Sequence, residues 1–117
     1  DHANNITEEA ETSINRKLKF SDSALEEIST VFNKAEASVS QVIYLIKNSS
    51  DDVIKSVLGL EKDIDGLIMT YENNHLERLE KGSCCPEAGP VYLDVLRNLE
   101  RISDHAHNIA YAKRFGF

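Results

Sequence analysis

The chain has 117 residues, enough for one domain with a core of its own but not for two. Apolar residues make up 41% and charged residues 28%, an ordinary balance for a soluble globular protein. The net charge of −7 argues against a nucleic-acid partner or an anionic membrane surface, because both are approached with lysine and arginine. No apolar run comes near the roughly 20 residues of a spanning helix, and no leader peptide is visible at the start. The first residue is not methionine, so the chain reads as a processed or excised piece of a longer protein.

In chain order, residues 1–20 are polar and read as a shorter leading helix, with the domain proper at 21–117. The first long helix is predicted over 22–48. There Leu25, Ile28, Phe32, Ala35, Val39, Val42 and Ile46 follow helical spacing, and Ser23 with Glu26 makes a capping box at the start. Asn48 to Asp52 is a polar break. The second helix is predicted over 51–80, with its stripe on Val53, Val57, Leu60, Ile64, Leu67, Tyr71 and His75. Gly59 and Gly66 inside it cost helix stability, either to admit a neighbouring helix closely or simply as tolerated residues. Gly82 to Pro90 holds both prolines and two of the five glycines, which marks a turn. The third helix is predicted over 88–113 on Tyr92, Val95, Leu96, Leu99, Ile102, Ala106, Ile109 and Ala110. No window alternates strictly, so no sheet is expected. The predicted fold is all-α, an antiparallel up-down helical bundle of three long helices plus the leading helix.

Cys84 and Cys85 are adjacent and have no third cysteine to pair with. They make no disulfide framework and fit a reducing, cytoplasmic compartment. An internal echo is more informative. Residues 1 to 6 read Asp-His-Ala-Asn-Asn-Ile and residues 104 to 109 read Asp-His-Ala-His-Asn-Ile, identical at five of six positions. The echo reads as the trace of a tandem repeat, with residues 1–20 as the end of the preceding copy.

The chemistry-bearing pattern is a pair of carboxylate pairs. Glu100 and Asp104 lie one helical turn apart on the third helix, and Glu61 and Asp65 repeat the spacing on the second. At 100° per residue, Glu100 and Asp104 fall roughly 100° and 140° from the stripe centre at Leu99, and Glu61 and Asp65 roughly 60° and 100° from Ile64. Both pairs therefore flank the apolar stripe rather than oppose it. With one helix ending near Arg78 and the next starting near Glu87, the two pairs come level. Four carboxylates facing one another across two helices suit a hard cation, whereas the same spacing on a solvated face would be ordinary surface charge. His105 and His107 point away from each other and cannot share one ion; His107 lies on the carboxylate flank. His75 falls on the core stripe, where a structural role is the default, and Arg101 reads as a partner for nearby acids. No glycine-rich phosphate loop and no nucleophile with a base at recognisable spacing is present, so no catalysis is expected.

The run Leu99-Glu100-Arg101-Ile102-Ser103-Asp104-His105-Ala106-His107-Asn108-Ile109-Ala110 resembles the hallmark motif of PhoU domains. Arg78 to Gly82, Cys85 to Gly89 and Tyr92 to Asp94 resemble the PhoU-like tail of bacterial sodium/phosphate cotransporters. The resemblance covers roughly residues 22 to 113. It implies a helical bundle without enzymatic activity, acting in phosphate transport and homeostasis. It also implies contact with the transporter's membrane domain in the same full-length chain or with a phosphate-signalling kinase, on the cytoplasmic side of an inner membrane. Some family members hold iron or zinc clusters on such motifs. Carried over, this points to Glu61, Asp65, Glu100 and Asp104 as ligands for Fe, Zn, Mn or Mg. A free-standing phosphate-signalling regulator, a purely structural interaction module and a homo-oligomer stay open at this level. Pro90 departs from the expected continuation into helix and puts the start of the third helix in question.

Overall fold

A computed structural model describes residues 20–82 and 87–115. The leading helix, the echo at residues 1 to 6 and the adjacent cysteines lie outside the described residues. Within them the chain forms α1 (Asp22–Lys47), α2 (Asp51–Glu80) and α3 (Ala88–Phe115), and no strand. The three long helices thus fall within two residues of the predicted bounds.

Local chemistry sets the ends. Ser21 is extended and its hydroxyl accepts from the backbone N–H of Ala24 at 3.1 Å, satisfying one of the unpaired donors of the first turn. The Ser23–Glu26 box therefore does not cap α1. Ser23 already lies inside the helix, and its hydroxyl meets that of Ser21 at 3.1 Å. Ser50 caps α2 through the N–H of Val53 at 3.2 Å, and Asp51 and Asp52 sit in the first turn, where the helix dipole favours acids. Gly82 ends α2 with φ +65 and donates to the Leu79 carbonyl at 3.1 Å, a left-handed stop suited to glycine. Pro90 enters the first turn of α3, where its missing N–H leaves no helical bond unmade. The proline therefore does not delay the helix.

Each helix packs on the other two. The start of α1 lies against the end of α2, where Glu27 meets Asn74 and Arg78. The end of α1 meets the start of α2, where Val42 and Leu45 cluster with Ile54 and Val57. A larger cluster gathers Val31, Ala35, Ile64, Ile68, Tyr92, Leu96 and Leu99. Full burial of a side chain such as Leu45, Ile64 or Leu99 contributes about 1.5–3 kcal/mol. The polar residues Ser38 and Ser103 are equally buried and belong to neither cluster.

The predicted stripes hold for most of α2 and α3 but not for α1. Its buried face is Ala24, Glu27, Val31, Ala35, Ser38, Val42 and Leu45, turned by about one residue from the expected one. Leu25, Phe32, Val39 and Ile46 are exposed instead. Small residues at 24, 35 and 38 face the neighbouring helices, and Glu27 is drawn inward by its partners on α2 and α3. Ile109 on α3 is also exposed. Gly59 and Gly66 have nothing within 4 Å of a would-be Cβ, so no helix approaches there and they are tolerated residues. Gly89 is the glycine that a close neighbour needs, with the His75 ring 3.1 Å from the position a Cβ would take.

Candidate metal centre

The fold brings three of the four predicted carboxylates, Glu61, Asp65 and Asp104, onto one spot, with Glu100 beside them in the same groove. On α2, Glu61 and Asp65 are held by buried Ile64 and Ile68, and on α3 Glu100 and Asp104 are held by buried Leu99 and Ser103. One carboxylate oxygen from each of Glu61, Asp65 and Asp104 lies within 4.8 Å of the other two. Asp65 acts on both Glu61 and Glu100, raising the pKa of each, so it stands at the middle of the set. Asp65, Glu100 and Asp104 also line an open groove of about 480 Å³, together with Glu72, Ile68 and Met69.

The electrostatics are those of crowded acids. Burial pushes the Glu61 carboxyl above its ordinary value, and the hydrogen bond and negative charge of Asp65 add to this, with a further push from Asp104. His107 acts on Glu61 in the opposite sense, as a positive neighbour. Glu100 is raised first by burial, then by the charges of Asp65, Asp104 and Glu72. Two carboxylates about 5 Å apart repel by roughly 1 kcal/mol in water and about 3 kcal/mol at the effective dielectric of a protein surface. Such a set either shares protons or takes up a cation.

A hard cation fits the donors. Oxygens within 4.8 Å of one another can meet a common ion, since metal–oxygen bonds run from about 2.0 to 2.6 Å. The donor set is entirely oxygen, with His107 near enough to act on Glu61. That chemistry suits Mg, Mn, Ca or Fe better than Zn, which prefers sulfur and nitrogen. Sequence spacing pointed to Glu61, Asp65, Glu100 and Asp104 as ligands and placed Glu72 on the same flank without counting it among them. Glu72 lies seven positions after Asp65, two turns along the same face, and that periodicity was the signal for it.

A second polar constellation lies elsewhere in the bundle. Glu27 is buried, accepts from Tyr92 Oη at 2.6 Å and Asn74 Nδ2 at 2.8 Å, and forms an ion pair with Arg78, whose Nη2 lies at 2.9 Å. Burial alone would raise its pKa, but the bonds from Arg78, Tyr92 and Asn74 together hold it below the ordinary value. The Arg78 guanidinium also stands 5.3 Å from the Tyr92 ring centre, and the His75 ring stacks on Tyr92 at 5.2 Å. Burial, then the charge of Arg78, depresses the His75 pKa. His75 is thus the structural histidine its stripe position implies. Arg101, expected to balance the acids, is exposed and pairs with none of the described residues. Arg78, at the opposite end of α2 from the polar break, pairs with Glu27 instead.

Three helices in mutual contact, with paired carboxylates across two of them, define a small all-helical module with an acid-lined groove. Residues 28–112 match the family model of the PhoU domain, and the chain belongs to that family. Neither the curated proteins nor the solved structures gave a match.

Proposed function

We propose that this domain is a non-catalytic regulatory module of phosphate transport and homeostasis that binds a hard cation through Glu61, Asp65, Glu100 and Asp104. The observation that carries the reading is the convergence of carboxylates from α2 and α3 on one spot, in a chain of the PhoU domain family. The contacts of α1 with opposite ends of α2 support an antiparallel up-down bundle, the frame that keeps the two pairs level. A bound Mn, Mg or Fe ion would supply positive charge to the groove and offset the repulsion that raises Glu61 and Glu100. Glu72 and His107 flank the same spot and would complete or tune the ligand set.

The wider setting is the tail of a sodium/phosphate cotransporter, on the cytoplasmic side of the membrane. The resemblance of Arg78 to Gly82 and of the following turn to such tails supports this, with the transporter's own membrane domain, or a phosphate-signalling kinase, as the partner. No helix among the described residues is long and apolar enough to cross a membrane, so any membrane spans would have to come from other parts of the full-length chain.

Two measurements test the reading. Protein purified without chelators is analysed for Fe, Zn, Mn and Mg alongside Glu100→Ala and Asp104→Ala. The proposal expects metal in the wild type and a loss of at least most of it in both variants, and equal content in all three overturns it. The transporter setting is tested separately by the coding sequence beside this segment, which should encode apolar spans of about 20 residues.

A further inference from the structure

One side of α1 carries an apolar row that none of the described residues covers. Leu25, Phe32, Val39 and Ile46 recur every seven residues with Ile43 beside them, and all five are between 40% and 64% exposed. A seven-residue recurrence slants by about 20° per two turns around a straight α-helix. Another helix crossing at about 20° follows that slant, and a flat surface does not. The occupant that fits the row is therefore a helix of similar length, about 32 Å from Leu25 to Ile46.

The same row on a second copy meets both requirements. In a two-fold pair, a residue that meets another is met by it in return. Antiparallel pairing centred midway between Phe32 and Val39 sets Leu25 level with Ile46 of the second copy, and Phe32 level with its Val39. Ile43 then comes level with the second copy's Ile28, which is half-buried. Charge selects this direction. Measured around α1 from Leu25, Asp22 and Lys47 stand roughly 60° and 40° to one side, and Glu26 roughly 100° to the same side. A two-fold antiparallel pair brings like sides together, so Lys47 comes between Asp22 and Glu26 of the other copy at both ends of the seam. None of these three is in an ion pair among the described residues. A parallel pair would set Asp22 against Asp22 and Lys47 against Lys47 instead. The antiparallel register has one cost, because Glu36, roughly 20° to that side, comes near its own copy at the two-fold axis.

The area agrees. The five side chains expose on the order of 500 Å² of apolar surface. A stable contact buries about 800 Å² on each partner, about 60% of it apolar. We propose that the chain forms a two-fold antiparallel dimer through α1, packed on the row from Leu25 to Ile46, with Lys47 of each copy facing Asp22 and Glu26 of the other. The proposal does not depend on the metal reading, since the row is on α1 and the carboxylates are on α2 and α3.

Sedimentation of the whole 117-residue chain in reductant and chelator tests it, the chelator excluding a dimer bridged by metal at the carboxylates. The chain should dimerise in the micromolar range. Phe32→Asp with Val39→Asp should raise the dissociation constant roughly a hundredfold or more and leave the helical circular-dichroism spectrum unchanged. Lys47→Glu should raise it about tenfold, and adding Asp22→Lys should recover most of that loss. Glu36→Gln should lower it a few-fold. Direction is read by cross-linking in a Cys84→Ser, Cys85→Ser background. An equal mixture of Leu25→Cys and Ile46→Cys chains should oxidise to a covalent dimer, and neither variant should do so alone. A chain that stays monomeric up to about 100 µM overturns the proposal. So does a dimer that the two aspartates leave intact, a Lys47→Glu loss that Asp22→Lys does not recover, or a mixture that fails to cross-link.

Discussion

Replacing Glu27 with alanine should be among the most damaging single changes in the bundle. The Glu27 and Arg78 side chains are 10% and 12% exposed and 2.9 Å apart, and the carboxylate also accepts from Tyr92 and Asn74. Alanine removes the acceptor for two donors and leaves a guanidinium charge largely buried without its counter-charge. Breaking a buried ion pair from one side costs about 3–5 kcal/mol, and the partial exposure here favours the lower end. A loss near 3 kcal/mol corresponds to a fall in Tm of about 12 °C or more for a domain of this size. Glu27→Gln keeps an acceptor for Tyr92 and Asn74 but lacks the charge, and should cost about half as much. Thermal and urea unfolding of the wild type, both variants and Arg78→Met would give the coupling between the pair. A Glu27→Ala protein within about 0.5 kcal/mol of wild type would refute the reasoning, because that is the range of an ordinary exposed substitution.

Neutralising the crowded acids should have the opposite sign. Glu61 and Glu100 have folded pKa values above their ordinary ones, so the stability they contribute is full below the unfolded pKa and is lost as pH rises through the folded one. In metal-free protein, Glu61→Gln and Glu100→Gln should each stabilise by a few tenths to about 1 kcal/mol at neutral pH, and the gain should vanish below the ordinary carboxylate range. Glu27 is depressed, so its contribution is present above the unfolded pKa and fades as pH falls through the folded one. Urea unfolding across pH 3 to 8 checks both signs. Gly66→Ala, at an open helical position, should stabilise by about 0.5–1 kcal/mol. Gly89→Ala, whose Cβ would meet the His75 ring at 3.1 Å, should instead cost about 1 kcal/mol or more, and equal Tm shifts for the two would contradict the packing.

The long helices and the level of the two carboxylate pairs were legible because both depend on periodicity. A turn of 3.6 residues places Glu61 with Asp65 and Glu100 with Asp104 whatever the neighbours do. The position of the Gly82–Pro90 turn then fixes how the two helices slide past each other. The buried face of α1 was not legible. Its apolar residues outnumber what two neighbours can cover, so packing chose among rows. The choice went to the side with Ala24, Ala35 and Ser38, where Glu27 could reach Arg78 and Tyr92. That network joins residues far apart in sequence, and no local pattern announces it. Glu72 falls on the same flank by periodicity and reaches the same groove, although it lies beyond the motif spacing that marked the ligands.

The central claim is that Glu61, Asp65, Glu100 and Asp104 form a cation site, and calorimetric titration of chelator-stripped protein with Mn²⁺ tests it most directly. Wild type, Asp65→Asn with Asp104→Asn, and Glu77→Gln as an exposed control on α2 are titrated side by side. The account predicts saturable binding in the wild type and the control, and its loss by at least tenfold in affinity in the double variant. Binding that is equal in all three, or absent from the wild type, would contradict it.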